Sequence, residues 1–103
     1  MGTNFYADEV AHGQTVTHHI GKRSFGWPFL FNNAKTPDEW RSFLLAPMTS
    51  DVYDEYGSSI RPSDFWRMVD NRPAKDLPPK AERRYYSRDH KGYWSVRFDG
   101  EWS

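Results

Sequence analysis

The segment Thr36–Glu39 constrains the fold more than any other part of the chain, because it carries a complete helix start. Thr36 is a favourable N-cap residue, Pro37 suits the first helical position, and Glu39 follows the cap by three residues. This spacing is that of a capping box. We therefore predict a helix over residues 37–46. Its apolar side chains recur at helical spacing and form one buried face: Trp40, Phe43 and Leu44.

A second helix is predicted over residues 62–70. Pro62 suits its first position, and Asp64 places a negative charge in the first turn, where the helix dipole favours it. Ile60 and Phe65 are spaced as a hydrophobic staple around the helix start. The apolar residues of its buried face are Phe65, Met68 and Val69.

Aromatic and β-branched segments at the start of the chain predict two strands. Asn4–Ala7 is short and aromatic, and Thr15–Ile20 alternates apolar and polar residues. The pair His12–Gly13 between them predicts a turn. After the second strand we predict a loop over Gly21–Ser24.

A third strand is predicted over Gly26–Phe31, with its rings on one face and Leu30 on the other. The residues of the aromatic face are Trp27, Phe29 and Phe31. Pro28 favours an edge position or an irregular start of the strand, because proline has no N–H to donate to a neighbouring strand.

The second half of the chain mixes short strands with loops. We predict a strand and turn over residues 51–57 and an exposed, proline-rich loop over residues 71–79. Residues 83–88 are predicted as a short strand or a helical turn, since both fit. Tyr93–Phe98 alternates well and predicts a strand, with a turn at Asp99–Gly100.

Together these elements predict an α+β fold, a small and mostly antiparallel sheet packed against two short helices. At 103 residues the chain is expected to form a single domain over residues 1–103. The hydrophobic fraction is only 37%, whereas 17% of the residues are aromatic. We therefore expect a core built from a few large rings.

Charge and cysteine content narrow the function classes. Fourteen basic residues balance fourteen acidic ones, which argues against a general nucleic-acid-binding protein. The chain has no cysteine, which excludes disulfides, thiol nucleophiles and cysteine-based zinc sites. It has neither a long apolar run nor the start of a signal peptide, so we expect a cytoplasmic protein without a membrane partner.

The segment His18–Trp27 is the first candidate functional site. Glycine permits close approach of a ligand, basic side chains contact phosphate or carboxylate, and serine adds a hydroxyl group. The spacing of a P-loop is missing. The alternative is a solvated hairpin turn whose tryptophan belongs to the core. The predicted ligand-binding residues are His19, Lys22, Arg23, Ser24 and Trp27.

A metal site is the second candidate, with zinc as the cofactor. Histidine is a common zinc ligand, and a carboxylate can join it. The alternative is that these are ordinary surface or core side chains. The candidate ligands are Glu9, His12, His19 and His90.

Acid–base chemistry is the third candidate. Asp51, Asp54 and Glu55 are carboxylates that could carry it, although solvated turn residues explain them better. An enzyme acting on nucleotides or nucleic acid would use His18 or His19 instead. The spacing does not assemble a nucleophile, a base and an orienting group.

An aromatic and basic stretch over residues 83–88 is the fourth candidate. Such a stretch stacks on nucleic-acid bases or forms a protein interface, where tyrosine and arginine are enriched. A half-exposed strand is the structural alternative. The predicted partner-binding residues are Arg84, Tyr85, Tyr86 and Trp102.

Several of these segments, taken in order, resemble a group of small, largely uncharacterised proteins of tailed bacteriophages. The most specific pieces are His19-Ile20-Gly21-Lys22 with Ser24, followed by Gly26-Trp27. The others share their order along nearly the whole chain: Asn4-Phe5-Tyr6, the capped helix with Trp40, Asp54-Glu55-Tyr56-Gly57, and the ending Gly100-Glu101-Trp102-Ser103.

The resemblance has implications for metal binding and for function. Relatives carry a Cys-x-x-Cys pair that looks like a zinc site, and its cysteines would fall near Glu9 and His12 of this chain. A phage origin implies a non-catalytic accessory protein in the host cytoplasm, directed against a host protein or a nucleotide-like ligand of host defence. The alternatives are the small enzyme described above and a metal-stabilised structural or adaptor protein.

Overall fold

The computed structural model describes residues 2–71 and 76–96 and confirms the α+β fold. Its strands are β1 (Gly2–Ala11), β2 (Gln14–Ser24), β3 (Leu30–Phe31), β4 (Val52–Asp54), β5 (Ser59–Ile60), β6 (Tyr86–Arg88) and β7 (Trp94–Val96). Its helices are α1 (Pro37–Leu44) and α2 (Pro62–Asp70), with a 3₁₀ turn at Arg83–Tyr85. The strands form one sheet in the order β5-β4-β1-β2-β3-β7-β6. Within it β3 and β7 are parallel, and the other described pairs are antiparallel.

A long hairpin of β1 and β2 forms the centre of the sheet. His12 and Gly13 make its turn, both with positive φ (52° and 75°), as a two-residue hairpin turn requires. The prediction of a loop over Gly21–Ser24 was wrong, because these residues complete β2. They pair with the start of β1, from Phe5 opposite Gly21 to Gly2 opposite Ser24. A shift in register next to Phe5 lets the ladder continue beyond Ile20.

Both helices pack on one side of the sheet, as predicted. Thr36 and Glu39 form the capping box: the Thr36 hydroxyl accepts from the Glu39 amide at 3.1 Å, and Glu39 accepts from the Thr36 amide at 2.8 Å. The start of α2 lies at Pro62, also as predicted. The main core joins both helices to the sheet through twelve buried side chains: Phe5, Ala7, Ile20, Phe29, Phe31, Trp40, Leu44, Val52, Phe65, Trp66, Val69 and Tyr93.

A second, smaller apolar cluster lies around Leu30, Leu77, Trp94 and Val96. Trp27 packs against this cluster and not with Phe29 and Phe31, which belong to the main core. The predicted strand over residues 26–31 is therefore wrong for its first half. A turn explains the difference, since Gly26 has φ of 82° and the Trp27 amide donates back to the Ser24 carbonyl. The alternation of a strand cannot pass through such a turn.

The remaining predictions are confirmed in part. Residues 83–88 hold both alternatives in succession, a helical turn and then β6. The strand predicted over Tyr93–Phe98 is seen at Trp94–Val96, and Arg97–Ser103 lie outside the described residues. Leu77, placed in an exposed loop by its proline-rich surroundings, is buried with 5% exposure. In the part of the chain that the structure describes, no helix is long and apolar enough to cross a membrane.

Candidate functional site

Among the described residues, none covers the side of the sheet opposite the helices over β1, β2 and β4, and three rings cross this open side in a row. Tyr6 stacks on His19 of β2 at 5.1 Å between ring centroids and on Tyr53 of β4 at 5.8 Å. The two interplanar angles are 29° and 28°. Register explains the row, since Tyr6 is directly opposite both other residues in the two ladders. We call His19, Tyr6 and Tyr53 the ring row.

Polar side chains hold the ring row in place. The Tyr53 hydroxyl donates to Asp8 Oδ1 at 2.6 Å, and the Thr17 hydroxyl donates to the same oxygen at 2.8 Å. His19 Nε2 lies 3.0 Å from Asn4 Oδ1. Fixed rings of this kind lose little conformational entropy when a partner binds them.

The pKa shifts of two rings follow from their surroundings. Burial lowers the pKa of His19 below 6.5 and the Lys22 charge lowers it further, against the opposing effect of a hydrogen bond with the Gly21 backbone. The hydrogen bond to Asp8 raises the pKa of Tyr53 above 10.0, helped by burial. Both shifts favour the neutral form of the ring at pH 7, so neither His19 nor Tyr53 adds a charge to the ring row.

An open groove of about 360 Å³ lies beside two members of the ring row, Tyr6 and Tyr53. Its other lining residues are Thr17, Asp54, Glu55 and Gly57. The groove is broad and exposed to solvent, whereas a site for a small molecule encloses most of its ligand. Glu55 Oε1 accepts from both nitrogens of Asn4, at 2.8 Å from the amide and 3.2 Å from the side chain. Asp54 Oδ1 accepts from the amides of Tyr56 and Ser58. The lining of the groove is thus both aromatic and acidic.

Three of the five predicted ligand-binding residues lie on this open side. His19 belongs to the ring row. The Lys22 side chain and the Ser24 hydroxyl occupy the space where a side chain of Gly2 would lie. Alternation along β2 places Arg23 on the opposite side of the sheet. Trp27 lies in the second cluster, 5.7 Å from Tyr86 between ring centroids. The structure therefore does not bring all five together.

The predicted partner-binding residues are divided as well. Tyr86 is half-buried against Trp27, so its ring belongs to the second cluster. The Arg84 guanidinium stacks on Tyr85 at 4.8 Å and donates to its hydroxyl at 2.9 Å, at the exposed 3₁₀ turn. Trp102 lies outside the described residues.

The four candidate metal ligands are separated. Glu9 Oε1 is 3.0 Å from His18 Nε2, His12 is exposed in the hairpin turn, and His19 contacts Asn4. His90 is exposed in the turn before β7. Among residues 2–71 and 76–96, no three histidine, aspartate or glutamate side chains are grouped so that they could hold a metal ion. The described part of the chain therefore does not bring these four residues together, and zinc binding stays a prediction.

The candidate acid–base groups do not converge either. His18 faces the helices, where its ring meets Phe43 edge-on at 4.6 Å, whereas His19 faces the open side. Asp51 is exposed, and Asp54 and Glu55 accept hydrogen bonds from nearby amides. This arrangement suits binding by stacking and hydrogen bonding better than proton transfer.

Sequence reasoning missed Tyr6, Asp8 and Tyr53 as site residues. Alternation in β1 was a usable signal, because Phe5 and Ala7 face the core and their neighbours must face outward. It also missed a groove of about 470 Å³ on the helix side, where the Arg41 guanidinium lies 4.4 Å from the Trp66 ring. Nothing local in the two helices indicates that these residues meet.

Comparisons with known proteins add nothing to this geometry. No family model, curated protein or solved structure matches the chain.

Proposed function

We propose that the chain is a non-catalytic binding protein that docks on another protein through the open side of its sheet. The observation that carries this proposal is the ring row, three aromatic side chains aligned across β2, β1 and β4 on the side away from the helices. Tyrosine is enriched at protein interfaces, and ordered aromatic side chains supply much of their binding energy.

The groove supports a particular partner chemistry. Tyr6 and Tyr53 provide aromatic surface, while Asp54 and Glu55 bring negative charge to the same groove. A lysine or arginine side chain of the partner would meet both a π-face and complementary charge there. An open groove suits a side chain that projects from a protein surface, because the rest of the partner covers the surrounding sheet.

The resemblance to tailed-phage proteins supports a further step, which the geometry does not address. Following it, we propose that the partner is a host protein in the host cytoplasm and that binding blocks its action, for example in host defence. This step rests on the motif His19-Ile20-Gly21-Lys22 and its neighbours in sequence.

Capture followed by affinity measurement tests the proposal. The immobilised chain is exposed to host lysate, and any partner recovered in stoichiometric amount is purified for calorimetry. Tyr6→Ala removes the central ring of the row, so we expect affinity to fall at least about tenfold, as for an interface hot spot. Rising salt should weaken binding, because complementary charges contribute to it.

The matched control is Leu45→Ala, which truncates an exposed apolar residue at the end of α1, on the helix side. This variant should bind like the unmodified chain, and thermal melts must show that both variants fold. Failure to recover a partner, or equal binding by Tyr6→Ala, contradicts the proposal. Loss of binding in Leu45→Ala alone would indicate that the interface lies on the helix side.

A second candidate function is binding of a phosphate-bearing ligand such as a nucleotide. It is favoured by one observation, that the side chains of Lys22 and Ser24 lie together over Gly2 on the open side, near His19. Thermal-shift measurements with cyclic nucleotides and inorganic phosphate test it, together with mass spectrometry of nucleotides released from the purified protein. Stabilisation that Lys22→Ala abolishes would support this function, and the lack of any shift would exclude it.

A further inference from the structure

The outer edge of β2 is open between the hairpin turn and β3. Among the described residues, β2 pairs with β3 only at Gly21 and Lys22, so no described strand lies beside Gln14–His18. The outer edge of β1 is different, since β4 pairs with it at Phe5 and Tyr6 and the segment 48–50 covers it farther along. The hairpin therefore has one covered edge and one open edge.

Hydrogen bonds on the covered edge show which backbone groups of β2 face the open edge. The Val10 amide donates to the Met48 carbonyl at 3.0 Å, and the Asp8 carbonyl accepts from the Ser50 amide at 2.8 Å. These groups point away from β2. When two residues lie directly opposite each other in an antiparallel pair, the backbone N–H and C=O groups of both point toward the neighbouring strand, or those of both point away from it. Thr15 and Thr17, opposite Val10 and Asp8, therefore direct their N–H and C=O groups to the open edge.

We propose that a second copy of this chain adds to the sheet here, with the two β2 strands antiparallel about a two-fold axis at Val16. In this register Thr15 of one copy pairs with the partner's Thr17, and Thr17 with the partner's Thr15. Every N–H and C=O group of both residues then gains a hydrogen bond across the interface. The two Val16 side chains, each 42% exposed in the monomer, meet across the axis.

The chemistry of the edge favours a copy of itself as the occupant. Gln14–Thr17 carries no charged side chain, so identical strands meet without the like-charge repulsion that would oppose a symmetric pair. Threonine pairs and valine pairs across strands stabilise a sheet. Proteins usually protect open edges with lysine, proline or a bulge, and none of these occurs in this stretch. The edge is thus built like an interface and not like a protected margin.

Sedimentation velocity and amide hydrogen exchange, each measured over micromolar to millimolar concentration, test the proposal on the whole chain. We expect a concentration-dependent dimer. The amides of Thr15 and Thr17 should gain protection as the concentration rises. The amides of Gln14, Val16 and His18 face β1 and should be protected at every concentration. This alternation is specific to pairing through the open edge.

Val16→Lys places two like charges opposite each other, so the dimer should weaken at least about tenfold. Val10→Lys is the matched control, because Val10 is similarly exposed at 46% but lies on β1. A monomer at millimolar concentration with rapid exchange at Thr15 and Thr17 would overturn the proposal. So would a dimer that resists Val16→Lys when circular dichroism shows that variant to be folded. Tyr6→Ala should leave the dimer intact, which separates this interface from the ring row.

Discussion

Gly21 shows how one residue determines the path of β2 through the core. It is buried between Phe5 of β1 and Phe31 of β3. A Cβ atom at this position would clash with the Leu30 carbonyl oxygen and would lie 2.6 Å from the Phe29 ring. From the sequence, we expected Gly21 to lie in a loop and to allow a ligand to approach closely. The approaching group is the protein's own backbone, which a local pattern cannot reveal because Leu30 follows only after the turn.

Gly21→Ala should therefore destabilise the fold by about 2 kcal/mol, the usual range for overpacking a core. Urea unfolding followed by tryptophan fluorescence measures the change. Gly2→Ala is the matched control in the same ladder. The new methyl group there would meet the side-chain ends of Ser24 and Lys22, and it would lie 2.9 Å from the Arg23 carbonyl oxygen, farther from backbone than at Gly21. We expect a smaller loss there, and equal losses in the two variants would contradict this account of Gly21.

His19 gives the fold a dependence on pH. Its folded-state pKa is lowered from 6.5, chiefly by burial, so the unfolded chain binds a proton more readily than the folded one. The stability contributed by the neutral ring is present above pH 6.5 and is lost as the pH falls through the folded pKa. We expect the melting temperature to drop between pH 7 and pH 5, and less so in His19→Gln. Parallel curves for the two proteins would show that His19 is not responsible.

At the scale of elements, helix starts were predicted better than strand lengths. The capping box at Thr36 and the proline at position 62 lie within a few residues of the helices they begin, so local sequence contains the signal. The length of β2 depends on its pairing with β1 and β3, and a turn separates β2 from each of these strands. The sequence Gly21–Ser24 therefore looked like a loop, although distant partners hold it as a strand.

Thr36→Ala tests the contribution of the capping box. The hydroxyl that accepts from the Glu39 amide is lost, which should cost about 1 kcal/mol of folding stability. Ser42→Ala serves as the control, since Ser42 is exposed in the same helix and does not cap it. Chemical denaturation compares the two variants. Equal stability of Thr36→Ala and the unmodified chain would mean that tertiary packing alone holds the start of α1.

At the scale of the whole molecule, both sides of the sheet carry apolar clusters, and among residues 2–71 and 76–96 nothing covers part of one side. The helices cover one side, and the segment around Leu77 covers β3 and β7 on the other. Alternation predicted the covered helix side. It did not predict the second cluster, because the segment carrying Leu77 resembles an exposed loop. The candidate site was predicted only in part. His19 was identified, but Tyr6 and Tyr53 were not, because their positions beside it depend on the register between strands.

Leu77→Ala tests whether the second cluster stabilises the sheet without contributing to partner binding by the ring row. Leu77 is 5% exposed and packs with Leu30 and Trp94, so its truncation should cost about 2–3 kcal/mol. Hydrogen exchange should quicken at Trp94–Val96, whereas the ring row lies on other strands and should keep its affinity for a partner. Pro79→Ala, at an exposed position of the same segment, is the control and should change stability little. If Leu77→Ala weakens partner binding as strongly as Tyr6→Ala, the two halves of this side act as one surface, and the binding face must be extended to the second cluster.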